Sequence, residues 1–268
     1  MPADREGPPP DIDISVAHVA RVYDYWLGGK TNFTPDQVAA RAAMRAAPHV
    51  AEGVRGNRAF LARAVRYLAG QAGVRQFLDI GTGIPAADNT HEVAQAMARE
   101  CRVVYVDNDP IVLSHARALL TSEPGGATAY LDQDLRNVGE IIHAAARTLD
   151  FTRPVAVMLI GILHCIPDED DPAGIVRQLM DAVPPGSYLA ISHPANDINS
   201  PGVRRLASRL NELMPVQLRF RSRAEVARFF DGLELVEPGL VRAPEWRPDS
   251  DAELANPAAV WAGVARKD

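Results

Sequence analysis

A chain of 268 residues, 47% hydrophobic and 23% charged, is long and apolar enough to bury a full core, which excludes a disordered or fibrous protein. Its net charge of −6, with no basic stripe, argues against a nucleic-acid partner. Cys101 and Cys165 each lie in or beside an apolar run and read as reduced buried thiols, not a disulfide framework.

The N-terminus, MPADREGPPPDID, is acidic and proline-rich, the opposite of a signal peptide, and residues 1–10 read as a flexible tail. From Asp11 to about Leu27 the apolar spacing Ile14, Val19, Val22 and Trp26 allows a helix. Thr34-Pro35-Asp36 then reads as an N-cap with proline at the first helical position. A long helix over 54–70 places Phe60, Leu61, Ala64, Val65 and Leu68 on one face. Residues 11–70 are therefore expected to form a helical cap ahead of the main domain at 71–268.

The pattern then becomes regular. Short strands are predicted at 75–80, 102–107, 127–132, 154–160 and 186–192. Helices are predicted between them at 88–99, 110–120 and 137–148, and after the fourth strand at 171–183. The run PVAVMLI at 154–160 is continuously apolar, as in a parallel strand covered on both faces. Repetition of β-α units predicts a doubly wound, Rossmann-like α/β sheet. Residues 194–220 lose the rhythm and read as an insertion. A helix follows with Ser222 as N-cap, Glu225 in the capping box and Gly232 past its end, before two closing strands at 233–241 and 259–266. The longest apolar run, PVAVMLIGILHCIP, is too short to span a bilayer, so a soluble cytoplasmic protein with no membrane partner is expected.

The strongest local signal is FLDIGTGIPA at 77–86. A strand runs into Asp79 and then Gly81-Thr82-Gly83, where glycines let the backbone turn sharply and a ligand approach closely. Gly81, Gly83 and Ala86 match the dinucleotide spacing G-x-G-x-x-G/A, but Pro85 removes an amide that would face an anion. Asp107, at the tip of the second strand, suits the two hydroxyls of an unphosphorylated ribose; the bland reading is a helix cap, which is assigned to Asp109. Asn108 lies beside the expected adenine. Asp134, beyond the third strand, can accept from an exocyclic amine while the neighbouring backbone at Leu135 donates to a ring nitrogen. A carboxylate at Asp79 repels a pyrophosphate and attracts an ammonium group. An amino-acid-bearing nucleoside, S-adenosylmethionine, therefore fits these positions better than NAD.

Together DIGTG, VVYVDNDP, DLR, GILHCIPD and GSYLAISH resemble the class I S-adenosylmethionine-dependent methyltransferases. The fuller pattern, with ARVYDYWLGGKTNF and NTHEVAQ, is similar to an actinobacterial S-adenosyl methyltransferase group, formerly a domain of unknown function, from about Ser15 to Lys267. The resemblance implies a seven-stranded sheet and Asp79, Gly81, Gly83, Asp107 and Asp134 as cofactor contacts. It names no acceptor. The fourth strand lacks the acidic or Asn-Pro-Pro-Tyr-like end that accompanies DNA or amide N-methylation, so a small-molecule acceptor is expected.

In the resemblance the loop after the fourth strand passes beside the reacting methyl group, which makes His164 a candidate base; His193 has similar standing. The bland alternative for both is a histidine bonded to backbone. His91 is expected to point toward the amino-acid end of the cofactor. Tyr23 and Trp26 are expected to offer ring faces to the sulfonium, and Lys30 to pair with the cofactor carboxylate, with Gly28 and Gly29 turning a lid over the ligand. Asp168 to Asp171 read as a solvated capping loop, and with neither a CxxC nor an HExxH pattern no metal is expected. The alternatives are a non-catalytic binder of the same cofactor and an NAD-dependent oxidoreductase on a similar sheet.

Overall fold

The computed structural model describes residues 13–112, 114 and 125–268. The tail expected at 1–10 lies outside them, as does most of the helix predicted at 110–120, of which 110–112 and 114 are helical.

Five parallel strands form the centre: β1 (Gln76–Ile80), β2 (Arg102–Asp107), β3 (Ala127–Asp132), β4 (Ala156–Ile160) and β5 (Tyr188–Pro194). With β6 (Glu234–Leu235), β7 (Val241–Arg242) and β8 (Val260–Arg266), the order is β3-β2-β1-β4-β5-β8-β6. β8 runs antiparallel to β5, β6 and β7, and β7 lies off the main path. Strand residues alternate between faces. Leu78, Val104, Val157 and Leu189 enter one core layer, and Phe77, Val103, Ala156 and Ala190 the other. That explains why β1, β2, β4 and β5 are so apolar, being covered on both faces, whereas the edge strand β3 is only half-buried.

The predicted strand at 233–241 is broken into β6 and β7. Pro238 offers no N–H to a ladder, and Gly239 turns the chain at φ 87°. The sheet is accordingly eight-stranded, with seven strands along its path.

Helix α1 (Val19–Leu27) starts later than the spacing suggested, and α2 (Thr34–Ala46) already includes Thr34. Asp36 accepts from the backbone N–H groups of Phe33 and His18, at 2.8 and 2.9 Å, and so fastens the start of α2 to the entry of α1. Helix α3 (Val50–Arg66) buries Phe60, Leu61, Ala64 and Val65 as its pattern required. Phe60 meets Trp246 edge to face at 5.5 Å, and Trp246, from the proline-rich connector, is fully buried.

Further helices among the described residues are α4 (Thr90–Met97), α5 (Val138–Ala145), α6 (Pro172–Asp181), α7 (Ser200–Leu213), α8 (Arg223–Ala227) and α9 (Asp251–Leu254). The α8 capping box forms as read, with Ser222 and Glu225 bonded reciprocally. The segment read as an irregular insertion instead contains α7. Val203, Leu206 and Leu210 of α7 pack with Val22 of α1 and Ala39, Ala40 and Ala43 of α2 in a third apolar cluster.

Candidate functional site

In a doubly wound sheet, ligands sit beyond the carboxyl ends of the strands where the strand order reverses. Here that point lies between β1 and β4, and a cleft of about 180 Å³ opens there. It is lined from below by Asp79, Gly81, Thr82, Gly83, Asp107, Asn108, Asp134 and Leu135, and from α1 by His18, Tyr23 and Asp24. Nine of the expected positions, Tyr23 among them, thus line one space.

The glycine turn has a definite construction. Gly81 adopts φ 74°, and a Cβ there would come within 2.4 Å of Ile162. Gly83 adopts φ 66° with open space where its Cβ would stand, so the cradle stays clear. The N–H of Gly81 donates to Val106 O at 2.8 Å, and that of Gly83 to Asp107 Oδ2 at 2.8 Å. Asp107 Oδ1 accepts from Asp109 N at 3.0 Å. Burial raises the Asp107 carboxyl above its ordinary range, against the pull of these N–H groups.

Asp79 is buried at the end of β1, and its Oδ2 accepts from Thr90 Oγ1 at 2.6 Å. Burial pushes its carboxyl up to about 6. Arg58, on α3, lines the same cleft and donates to Ala87 O and Asp88 O, holding the loop after the glycines. Asp134 is gripped by Arg136, at 2.9 Å, and by Asn108 Nδ2, at 3.1 Å. Asp109 caps as read, accepting from Ile111 N at 2.9 Å. Its other oxygen lies 2.8 Å from His18 Nδ1; burial raises this carboxyl, but His18 and Arg21 more than offset that and hold it below its usual range.

Tyr23 reaches the cleft, but its hydroxyl faces α3: it donates to Val54 O at 3.3 Å and accepts from Asn57 Nδ2 at 3.0 Å. Lys30 is exposed and outside the cleft lining. The glycines before it serve the helix end. Gly28 caps α1 at φ 84°, and a Cβ on Gly29 would stand 1.9 Å from Asp24 Oδ1. Asp24 Oδ2 then accepts from Thr31 N and Asn32 Nδ2, closing the turn. His91 also stands apart, its Nδ1 2.8 Å from the Tyr105 hydroxyl within the core. Trp26 faces a second cavity, and its Nε1 donates to Ala40 O.

That second cavity, of about 220 Å³, adjoins the cleft and shares Val19, Tyr23, Asn57 and Gly161 with it. His164 lines it; burial brings its imidazole down to about 4, so the ring is neutral. His193 lines neither space. Its Nδ1 lies 2.9 Å from Pro194 O and its Nε2 accepts from Arg221 Nη1 at 3.1 Å, so both ring nitrogens are engaged. Burial, with His164 and Arg221 nearby, drives it well below its ordinary value. A free base at His193 is therefore replaced by a structural one.

Arg221 escaped the sequence reading. Buried, it donates to Leu163 O, Ile166 O and Asp168 Oδ1, tying the loop after β4 to β5 through His193. The acidic loop is thus partly an arginine partner, while Asp171 caps α6 by accepting from Gly174 N at 3.0 Å. Among the described residues no group of three or more His, Cys, Asp or Glu side chains is arranged to hold a metal, and no helix is long and apolar enough to cross a membrane.

A family model described as S-adenosyl methyltransferase matches residues 5–268. A crystal structure of a DUF574 family protein from Streptomyces avermitilis is 46% identical, covers 96% of this chain and 99% of its own, and superposes with a TM-score of 0.92. A Thermobifida fusca protein described provisionally as a methyltransferase is 42% identical over 97% and 98%, with a TM-score of 0.89. The mitomycin 7-O-methyltransferase MmcR, 16% identical over 87% and 56% with a TM-score of 0.54, shares the fold. No curated protein matches the chain. These matches remove the NAD-dependent alternative, and the open cradle at Gly83 with a carboxylate at the tip of β2 fits an adenosyl cofactor. The chain belongs to the S-adenosyl methyltransferase family.

Proposed function

We propose that this S-adenosylmethionine-dependent methyltransferase acts on a small-molecule acceptor held in the cavity beside the cofactor cleft. One observation carries the reading: the two spaces share the wall made by Tyr23, Asn57 and Gly161, and the second, of about 220 Å³, has a mainly apolar lining. A pocket of that size suits a small ligand, not a polymer.

When bound, S-adenosylmethionine supplies a sulfonium methyl group that an acceptor atom displaces, the C–S electron pair remaining on sulfur. The chain's own work is binding and orientation, which such in-line transfer needs more than strong acid or base power. In this reading Asp107 accepts the ribose hydroxyls, Asp134 and the backbone at Leu135 meet the adenine beside Asn108, and Asp79 attracts the ammonium group. Thr82 and the glycines form the floor. Helix α1 acts as the cover, through Tyr23 and Asp24.

The test is release of S-adenosylhomocysteine over a panel of small acceptors, with calorimetric titration of the cofactor alongside. Acceptor-dependent release supports the reading. Tight cofactor binding with no release across the panel overturns it in favour of a non-catalytic binder.

A further inference from the structure

The lining of the second cavity is apolar over most of its area, with Val22, Trp26, Leu206, Leu210, Met214 and Phe220 among its walls. Among the described residues, its only charged or titratable rim groups besides Tyr23 and His164 are His49 and Arg205, both exposed. No Asp, Glu or Lys side chain among the described residues lines it. A carboxylate or ammonium group placed inside would lose its water without gaining a buried counter-charge.

Against this apolar background stand three polar atoms with no hydrogen-bond partner among the described residues: Asn57 Oδ1, His164 Nδ1 and Ser192 Oγ. All three residues are more than nine-tenths buried and all three line the cavity. Buried polar groups are ordinarily paired, so three orphans around one space point to a missing polar partner. The amide of Asn57 is not free to turn. Tyr23 OH donates to Val54 O, so it must accept from Asn57 Nδ2, which leaves Oδ1 as the acceptor. The opposite end of the His164 ring, Nε2, lies 3.7 Å from Cys165 Sγ, leaving Nδ1 toward the unfilled side. The neutral state of His164 adds no charge to the set.

Size narrows the ligand further. An apolar cavity of ~150 Å³ accommodates benzene. At about 220 Å³ this one has room for a substituted ring or two fused rings. We propose that the cavity binds the methyl acceptor, and that the acceptor is an uncharged, mainly apolar molecule of one or two rings whose hydroxyl group meets Asn57, His164 and Ser192. This rests on the small-molecule reading above and adds the chemical class.

The experiment titrates the intact protein calorimetrically, saturated with S-adenosylhomocysteine, with 1-naphthol, 2-naphthol, 1-methoxynaphthalene and 1-naphthoate. At least one naphthol is expected to bind about tenfold or more tightly than 1-naphthoate, and severalfold more tightly than the methoxy compound. Leu206→Trp, which fills the cavity, is expected to weaken the naphthol about tenfold or more while S-adenosylhomocysteine affinity holds, which also reports folding. Ser192→Ala is the gentler second variant, with a severalfold loss for the naphthol and none for the methoxy compound. Naphthoate binding as tightly as either naphthol, or no naphthol binding to protein that still takes S-adenosylhomocysteine, overturns the acceptor class alone. Failure of S-adenosylhomocysteine to bind overturns the cofactor reading, and this inference with it.

Discussion

Asp107 Oδ2 accepts the backbone N–H of Gly83 at 2.8 Å, so the carboxylate at the tip of β2 also holds the turn that follows β1. Two neighbouring strands are therefore coupled at the point where the cofactor is expected to sit. Asp107→Ala removes the proposed ribose acceptor and leaves the N–H groups of Gly83 and Asp109 unpaired. Hydrogen bonds to charged groups contribute ~1.5–3 kcal/mol each, so cofactor affinity should fall about tenfold or more. Asp107→Asn, which keeps one acceptor oxygen, should lie between. Calorimetric titration with S-adenosylhomocysteine measures both, and unchanged affinity in the alanine variant would falsify the ribose assignment.

If Asp79 meets the ammonium group as proposed, cofactor affinity should depend on pH. Its folded carboxyl titrates near 6 because burial penalises the ionised form. Below that pH it is protonated, and an ammonium group meets a neutral acid. Affinity for S-adenosylhomocysteine should therefore rise between pH 5 and 7, by up to about tenfold per unit, and then level off. Stability without ligand runs the other way. A carboxyl raised in the fold stabilises fully below its unfolded value and loses that contribution as pH climbs through the folded value. The loss is on the order of 3 kcal/mol at about 1.4 kcal/mol per unit. Asp79→Asn should flatten both profiles, which titration from about pH 5 to 8 and thermal melts from about pH 3.5 to 8 would reveal.

The Gly-Gly turn at the end of α1 predicts a split between stability and binding. Gly29→Ala would drive a Cβ into Asp24, at 1.9 Å from its Oδ1, and overpacking of this kind costs ~1–3 kcal/mol. Gly28→Ala meets open space but must hold φ 84°, at a cost of ~1–2 kcal/mol. Lys30→Ala, exposed and outside the cleft lining, should change neither melting temperature nor cofactor affinity. A loss of affinity in Lys30→Ala would restore the expected carboxylate contact.

Arg221 predicts the stiffness of the loop that carries His164. Arg221→Leu leaves Leu163 O, Ile166 O and His193 Nε2 without their donor. Each buried unsatisfied group costs ~1–3 kcal/mol, so destabilisation on the order of 3 kcal/mol or more is expected in urea titration. Arg221→Lys should recover only part, since an ammonium group cannot reproduce the forked geometry. Full recovery with lysine would show that charge alone matters there.

The residues that line the cleft between β1 and β4 were legible because their signals are local. Glycines at 81 and 83, a carboxylate at the tip of β2 and short apolar strands are written within a few residues of one another. The second cavity was not, because it is assembled at long range. Helix α7 hides its stripe of Val203, Leu206 and Leu210 among arginines and serines, and its proline sits at the helix start, where proline is tolerated. Asn57 falls on a helix whose apolar face dominates its pattern, and Ser192 is one small residue at a strand end. Only the fold shows that they face the same space. Lys30 and His91 misled for the opposite reason: neighbours in sequence to cleft residues, they are turned aside by a helix cap and by Tyr105.

The position of β8 bears on the order in which the protein is built. β6 and β7 precede β8 in the chain, yet β8 is their sheet partner. During synthesis β1 to β5 can pair as they leave the ribosome, while residues 234–242 wait for a strand made some twenty residues later. Ala259 and Val260, at the start of that strand, also line the second cavity. The described residues that line the cleft, none beyond Val216, are thus made before Ala259 and Val260 complete the second cavity.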